Sequence, residues 1–458
     1  MASFSRRLFL GSAISVSGAG SYLWAKEPHD LVGEALARLL GQDGPDFHPN
    51  TLFLTWHRDP TTTMVVQWIG VRGETADTTV QYTRNPLAWT PKPAASKVEA
   101  LKNIALPNPI RWQSQKPESK PYPMTDFQVF RAELTCLEPG TEYAFKIGKS
   151  SGVYRFRTMP KKATDTITFV SGGDVGIQSA AVANNIMAAR QNPHFALVGG
   201  DLGYDNGRSV EISLAYIRNW SKTMIDTEGR LIPMVTCIGN HEVDGGYTGD
   251  RAKAPFYLAL FDGLFPHNTY NTLDFGDYLS LVLLDSGHLT PIGGEQSSWL
   301  EKALITRQDL PHTICVNHVP AYPSHRNPLG VPAKDGKKAV NGTGIENRKH
   351  WVPLFDKYRV PLVLEHHDHT YKRTKPLLNG KRHDNGVLYL GDGSWGKIRI
   401  PRPNDDLDVM AKTSAEYHIT LHKIQGQERF HMAMNEKGRI MDVSHTGQRK
   451  KGIFRTQG

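Results

Sequence analysis

The chain has 458 residues, 39% of them hydrophobic, with 54 Lys+Arg against 45 Asp+Glu for a formal net charge of +9. This length allows two to four domains with sizeable cores, and the composition excludes a disordered chain. The positive charge favours anionic partners, but the basic residues are scattered without the long blocks of a nucleic-acid arm, so a phosphate-bearing small molecule suits it as well as nucleic acid does.

Residues 1–25, "MASFSRRLFLGSAISVSGAGSYLWA", carry Arg6 and Arg7, then Phe9 and Leu10, then a weakly apolar stretch ending near Ala25. They read as a twin-arginine export signal, too short and glycine-rich for a membrane span of about 20 strongly apolar residues. The expected location is periplasmic or extracellular, and no other segment reads as a membrane span. The route resembles the one taken by proteins that fold and load cofactors before export, a first hint of a metal. Residues 26–48 form a leader in which "HDLVGEALARLLG" has helical periodicity ending at Gly41.

Over residues 49–160 the pattern changes to short runs rich in Thr, Val, Phe and Tyr, such as "TMVVQWIG", "VFRAELTCL" and "VYRFRTMP", separated by Pro/Gly/Asp turns. This predicts an antiparallel β-sandwich. Within it "LEPGTEYAFKIG" resembles the end of a fibronectin type III module. The proline-rich "LPNPIRWQSQKPESKPYP" reads as a long loop. Cys136, Cys237 and Cys315 each sit in an apolar strand-like run without CxxC spacing. They read as buried, unreactive thiols rather than as a disulfide framework, metal ligands or nucleophiles.

From Thr166 the grammar becomes strand, helix, strand. "TITFVSGGD" is followed by "SAAVANNIMAARQ", with Val182 and Ile186 at apolar spacing, then by "HFALVGGD", by "SVEISLAYIRNW" with Val210, Leu214 and Ile217, and by "IPMVTCIGNHE". Residues 165–400 are expected to form an α/β layered domain. Residues 401–458 are expected to form a tail whose "HITLHKI" and "RFHMAMN" are strand-like and placed to close a second sheet.

Metal-competent residues follow directly on five of these apolar strands: Asp174, then Asp201 and Tyr204, then Asn240 and His241, then His318, then His367 and His369. The carboxyl ends of strands in layered α/β folds open into one crevice, so five separated segments can converge on a single site. Oxygen and imidazole donors without thiolate favour Fe, Mn or Zn over a structural zinc site.

The motifs "GGDVG", "GGDLGYD", "GNHE", "VNHVPAY" and "HHDHTYKRTKP" resemble, in order and spacing, those of the calcineurin-like metallophosphoesterases, and the Asp-x-x-Tyr form resembles their purple acid phosphatase branch. The resemblance implies a four-layer α/β/β/α sandwich behind an all-β fibronectin-like domain. It implies two metal ions, iron paired with iron, zinc or manganese. The first would be bound by Asp174, Asp201, Tyr204 and His369, and the second by Asp201, Asn240, His318 and His367. It also implies attack of a metal-bound hydroxide on a small phosphomonoester, with His241 stabilising charge or protonating the leaving oxygen.

Two departures from that pattern stand out. His366, preceded by Glu365, occupies the place of the glycine in Gly-His-x-His, and the usual Tyr-Glu-Arg becomes Tyr371, Lys372, Arg373. His366, Glu365 and Asp368 are therefore assigned to accessory positions around the metals. His325, Tyr322, His288, Asp244 and Tyr247 lie near motifs as candidates for the substrate pocket, whereas Asp392 reads as a structural turn. A phosphodiesterase or nucleotide hydrolase shares these metal motifs, and a surface-binding protein that lost catalysis is the alternative of another class. No nucleic-acid-binding module is recognised, and no signal for an oligomeric state.

Overall fold

The computed structural model describes residues 47–84, 111–149, 151–163, 166–330, 341–403 and 408–447. The export signal and the leader helix read from the sequence lie outside the described residues. Strands β1 (Phe53–Thr55), β2 (Met64–Val71), β3 (Val80–Arg84), β4 (Gln113–Gln115), β5 (Glu118–Pro121), β6 (Phe127–Leu134), β7 (Glu142–Ile147) and β8 (Tyr154–Arg157) form two four-stranded sheets, ordered β1-β2-β6-β5 and β4-β3-β7-β8. Every pair is antiparallel. Aromatic side chains fill the space between them, with Trp68 stacked on Phe130 and Tyr143 on Phe156. Tyr143 Oη accepts a hydrogen bond from the Glu138 amide at 2.9 Å, closing the Leu-Glu-Pro-Gly-Thr turn.

The proline-rich run is not a loop over its described part, residues 111–123, which contains β4 and β5. Both are edge strands with mostly exposed side chains, the one sheet position where a residue without an N–H can sit. Cys136 also departs from expectation. It is exposed in a turn two residues past β6 with φ 55°, whereas Cys237 and Cys315 are buried.

Strand–helix alternation then begins with β9 (Ile167–Gly172), α1 (Ser179–Ala189), β10 (Phe195–Val198), α2 (Val210–Thr223) and β11 (Met234–Thr236), and these three strands pair in parallel. There follow α3 (Pro255–Phe261), β12 (Asn271–Phe275), β13 (Leu279–Leu283), α4 (Glu295–Arg307), β14 (His312–Asn317), α5 (Ile345–His350), α6 (Val352–Lys357), β15 (Leu362–Glu365) and β16 (Tyr371–Thr374). A short hairpin, β17 (Leu377–Leu378) and β18 (Lys381–Arg382), leads to β19 (Leu388–Asp392) and β20 (Met410–Ser414). The resulting sheet runs β12-β13-β14-β15-β19-β16-β20, parallel from β13 to β19. The chain then returns through β21 (His418–Gln425), β22 (Glu428–Asn435) and β23 (Ile440–Thr446) to pair antiparallel with β9, so the six-stranded sheet reads β11-β10-β9-β21-β22-β23.

Alternation along the strands sets the layers. Leu281, Leu283, Ile314, Val316, Leu362 and Leu364 face a core continuous with Phe169, Val170 and Leu197 of the six-stranded sheet. Their neighbours Val282, Cys315 and Val363 face the other way, onto Leu300 and Leu304 of α4 and onto Trp351 and Phe355 beside α5 and α6. Sheet therefore packs on sheet, with helices outside, giving the expected α/β/β/α order. The buried face of α1 differs from the apolar spacing of Val182 and Ile186. Ala181, Asn184, Asn185 and Ala188 point inward and Ile186 is 38% exposed. The reason is Trp395, whose indole N–H donates to Asn185 Oδ1 at 2.8 Å and whose carbonyl accepts from Asn184 at 2.6 Å.

The β-sandwich docks against α3: Arg131 lies 2.8 Å from Asp262, and Gln67 donates to the Leu260 carbonyl at 3.0 Å.

Candidate metal centre

The carboxyl ends of β9, β10, β14 and β15 lie at one edge of the paired sheets, and the residue types that follow them meet there. Asp174, Asp201, Tyr204, His367 and His369 all have left-handed φ values between 55° and 68°. Non-glycine residues adopt this region at a cost that recurs where a site over-determines the backbone. The turn glycines permit close approach: a Cβ on Gly239 would lie 2.4 Å from Asp201 Oδ1.

Two groups of donor atoms result. In the first, Asp174 Oδ1 lies 3.3 Å from Tyr204 Oη and 3.0 Å from His369 Nε2, and Tyr204 Oη lies 3.1 Å from His369 Nε2. In the second, His318 Nε2 lies 3.2 Å from Asp201 Oδ1, 3.2 Å from Asn240 Oδ1 and 3.1 Å from His367 Nδ1. His318 Nδ1 donates to the Gly199 carbonyl at 2.8 Å, which turns Nε2 toward the other donors. Asp174, Asp201, His318 and His367 each present one ligand atom within 4.8 Å of the others. Asp201 is fully buried, yet its Oδ2 has no hydrogen-bond partner. Metal bonds of about 2.0–2.2 Å place neighbouring ligand atoms about 3 Å apart, so these oxygen and nitrogen donors fit cations.

Electrostatics agree. Burial opposes charge on both Asp201 and His318, yet their facing charges hold the carboxyl below its ordinary range and raise the imidazole to about 9. Burial, then the Asp174 charge, pushes the Tyr204 phenol well up, so only a strongly polarising cation can ionise it. His241 donates its backbone N–H to Asp201 Oδ1 at 2.9 Å, packs its ring at a tilt on Tyr204 at 4.2 Å and contacts Asn206 Oδ1 through Nδ1 at 2.5 Å. Burial lowers its pKa.

The accessory residues fall elsewhere than expected. Glu365 points away from the donors, into a buried ion pair with Lys372 Nζ at 2.5 Å, and accepts from the Ala321 amide at 2.6 Å. Lys372, one of the two departures from the family pattern, thus finds its partner in Glu365, the residue preceding the other. Asp368 accepts from the amides of Ser324, His325 and Arg326, shaping that loop rather than joining the donors. Tyr322 belongs to the outer core, edge-on to Tyr389 at 4.7 Å, and His325 contacts the Ile400 carbonyl through Nδ1 at 2.7 Å. Asp244 turns outward to Arg208 and Lys253, whereas buried His288 lies 5.6 Å from the His318 ring and carries Tyr247 at 4.7 Å. Asp392, read as a turn residue, instead lies 2.7 Å from His366 Nε2 beneath the site.

Sequence reading missed three groups. Glu242, fully buried, accepts from the amides of Gly239, Asp201 and Leu202 at 2.7–2.8 Å. Burial and the neighbouring carboxylates raise it to about 8. Its signal was the final letter of "GNHE". Lys397 Nζ sits 4.4 Å over the Tyr204 ring, and Arg326 donates to the His367 carbonyl. Neither cation belongs to a spaced motif.

Residues 49–158 match the family model for the purple acid phosphatase N-terminal domain, and residues 167–371 match that of the calcineurin-like phosphoesterases. Purple acid phosphatase 21 of Arabidopsis thaliana is 25% identical over 304 residues, which cover 63% of this chain and 64%, just under two thirds, of that relative. An uncharacterized protein of Mycobacterium tuberculosis is 26% identical over 418 residues, covering 81% of this chain and 71% of the relative. A purple acid phosphatase from yellow lupin (Lupinus luteus) seeds shares the fold with a TM-score of 0.65 at 15% identity, over 86% of this chain and 73% of that one. With its two matched regions covering well over half of its length, the chain belongs to the calcineurin-like phosphoesterases that carry a purple acid phosphatase N-terminal domain.

Proposed function

We propose that the protein is an exported, dinuclear-metal phosphohydrolase acting on phosphomonoesters. The observation that carries this reading is the pair of donor groups spaced at 3.0–3.3 Å, beside the buried and unpartnered Asp201 Oδ2. In this reading Asp174, Asp201, Tyr204 and His369 hold one ion, and Asp201, Asn240, His318 and His367 the other. The buried tyrosine favours iron in the first place, with iron, zinc or manganese in the second. Ions held by these residues would supply Lewis acidity toward phosphate oxygens and would make water a nucleophile near neutral pH.

The chain's own residues do the rest. His241, half-buried with Nε2 3.9 Å from Asp201 Oδ2, would stabilise charge or protonate the leaving oxygen. Lys397 adds positive charge beside Tyr204, suited to the doubly charged phosphate of a monoester, whereas Arg326 beside His367 is paired with Asp368 at 3.1 Å. Export by the twin-arginine route and a fibronectin-like character of the β-sandwich belong to the same proposal. The Tyr143 Oη contact with the Glu138 amide supports the latter.

The test is metal content and visible spectrum of the purified protein, with hydrolysis of p-nitrophenyl phosphate and its bis ester from acid to alkaline pH. About two ions per chain, a broad visible band lost in Tyr204→Phe, and monoester turnover are expected. Preference for the diester would replace the substrate class, and absence of stoichiometric metal would remove the reading altogether.

A further inference from the structure

His366 is fully buried between the ends of strands that carry the candidate ligands. Its backbone N–H donates to the His318 carbonyl at 2.9 Å, and its Nδ1 lies 3.0 Å from the carbonyl of Asn317, the residue before His318. Its ring is wedged against the glycines that precede Asp174 and Asp201. A Cβ on Gly199 would lie 1.8 Å from His366 Cε1, and one on Gly173 would lie 2.8 Å from Cδ2. On the far side Nε2 meets Asp392 Oδ1 at 2.7 Å, within ion-pair distance though outside hydrogen-bond geometry. Asp392 continues into the other sheet: its second carboxylate oxygen accepts from Ser171, whose Oγ lies 2.6 Å from His422 Nε2. The Gly173 amide donates to the Asp392 carbonyl at 3.0 Å. One imidazole thus touches β14, β19 and the two glycine turns after β9 and β10, which belong to different sheets.

We infer that His366, braced by Asp392, is a positioning residue that locks the turns bearing Asp174, Asp201 and His318 into one metal-binding geometry across the two sheets. It touches no substrate. The inference rests on the metal-site reading above and says why a bulky polar side chain occupies that position. Replacing it leaves an imidazole-sized hole against Gly173 and Gly199, and the turns lose their common reference.

The experiment titrates metal-free full-length protein with Zn2+ and Mn2+ and records thermal melting of the same metal-free samples. Outer residues that orient ligands change metal affinity by about 10–100-fold. His366→Gly is expected to weaken binding by that factor, and His366→Gln, whose amide nitrogen takes the place of Nε2 toward Asp392, to recover most of it. Asp392→Asn should weaken binding as well, with little further loss in the His366→Gly background. Millimolar imidazole should raise the melting temperature of metal-free His366→Gly but not of wild type. If His366→Gly does not fold, Asp392→Asn, alone and in the His366→Gln background, carries the same comparison. Wild-type affinity in His366→Gly or Asp392→Asn, or additive losses from His366 and Asp392, would overturn the inference while leaving the metal site standing. A wild type that binds no metal would sink the proposed function and this inference with it.

Discussion

Replacing Lys372 by methionine should destabilise the protein far more than a change away from the donor atoms would imply. Lys372 and Glu365 are 1% and 0% exposed, and Nζ sits 2.5 Å from Glu365 Oε2 while also donating to the Tyr322 carbonyl. A Cβ on the adjacent Gly391 would lie 2.3 Å from Lys372 Cε, so the aliphatic stem is also tightly packed. Methionine roughly preserves that stem but strands a buried carboxylate, which costs about 3–5 kcal/mol. Against a typical stability of about 5–15 kcal/mol, this is a large fraction. Glu365→Gln combined with Lys372→Met removes both charges and should recover much of the loss, giving a coupling of roughly 2 kcal/mol or more. Denaturant unfolding of metal-free protein, followed by tryptophan fluorescence, measures all four corners of the cycle. A single-variant loss under about 1 kcal/mol, or strict additivity, would refute the claim that the two charges depend on each other.

Asp201→Asn, which removes charge from the carboxylate proposed to serve both ions, should lower metal content below two per chain and cut kcat by roughly 10³-fold, the worth of several kcal/mol of Lewis acidity; metal analysis and p-nitrophenyl phosphate turnover check it. Glu242→Gln offers one acceptor where three amides now find a carboxylate, so a loss of about 1–3 kcal/mol in the melting of metal-free protein is expected. His312 lies far from the donors. Burial, then the Arg429 charge, lowers it from 6.5 to about 4, and Arg429 Nη1 already donates to its Nδ1 at 2.7 Å. The folded state therefore holds fewer protons than the unfolded between about pH 6.5 and 4. Stability should decrease as pH drops from about 6.5 to about 4, by up to about 3 kcal/mol, and His312→Gln should flatten this part of a pH series of denaturation midpoints.

Local pattern was enough to read the order of strands and helices from Thr166, because each apolar run is short, bounded by glycine and followed by a polar cluster. It was also enough to gather Asp174, Asp201, Tyr204, Asn240, His318, His367 and His369, since residues at the carboxyl ends of strands share one edge whatever the rest of the topology does. What the local pattern could not supply was partnership. Glu365 faces Lys372 because β16 folds back beside β19, which pairs in parallel with β15. His366 meets Asp392, and Asp392 meets Ser171, because the two sheets pack at that level. Tyr322 goes to the outer core, though its neighbour in sequence terms, His318, goes to the site. The edge strands in the proline-rich run and the inward face of α1 were hidden for the same reason. Alternation and helical period report which side of an element is apolar, but the identity of the opposing surface, Trp395 in the case of α1, comes from residues some 200 positions away. Sequence by itself determined the chemistry available at the strand ends, and only the tertiary structure decided which buried charges hold those ends in place, because a buried polar group's partner is set by strand register and sheet packing rather than by its neighbours along the chain.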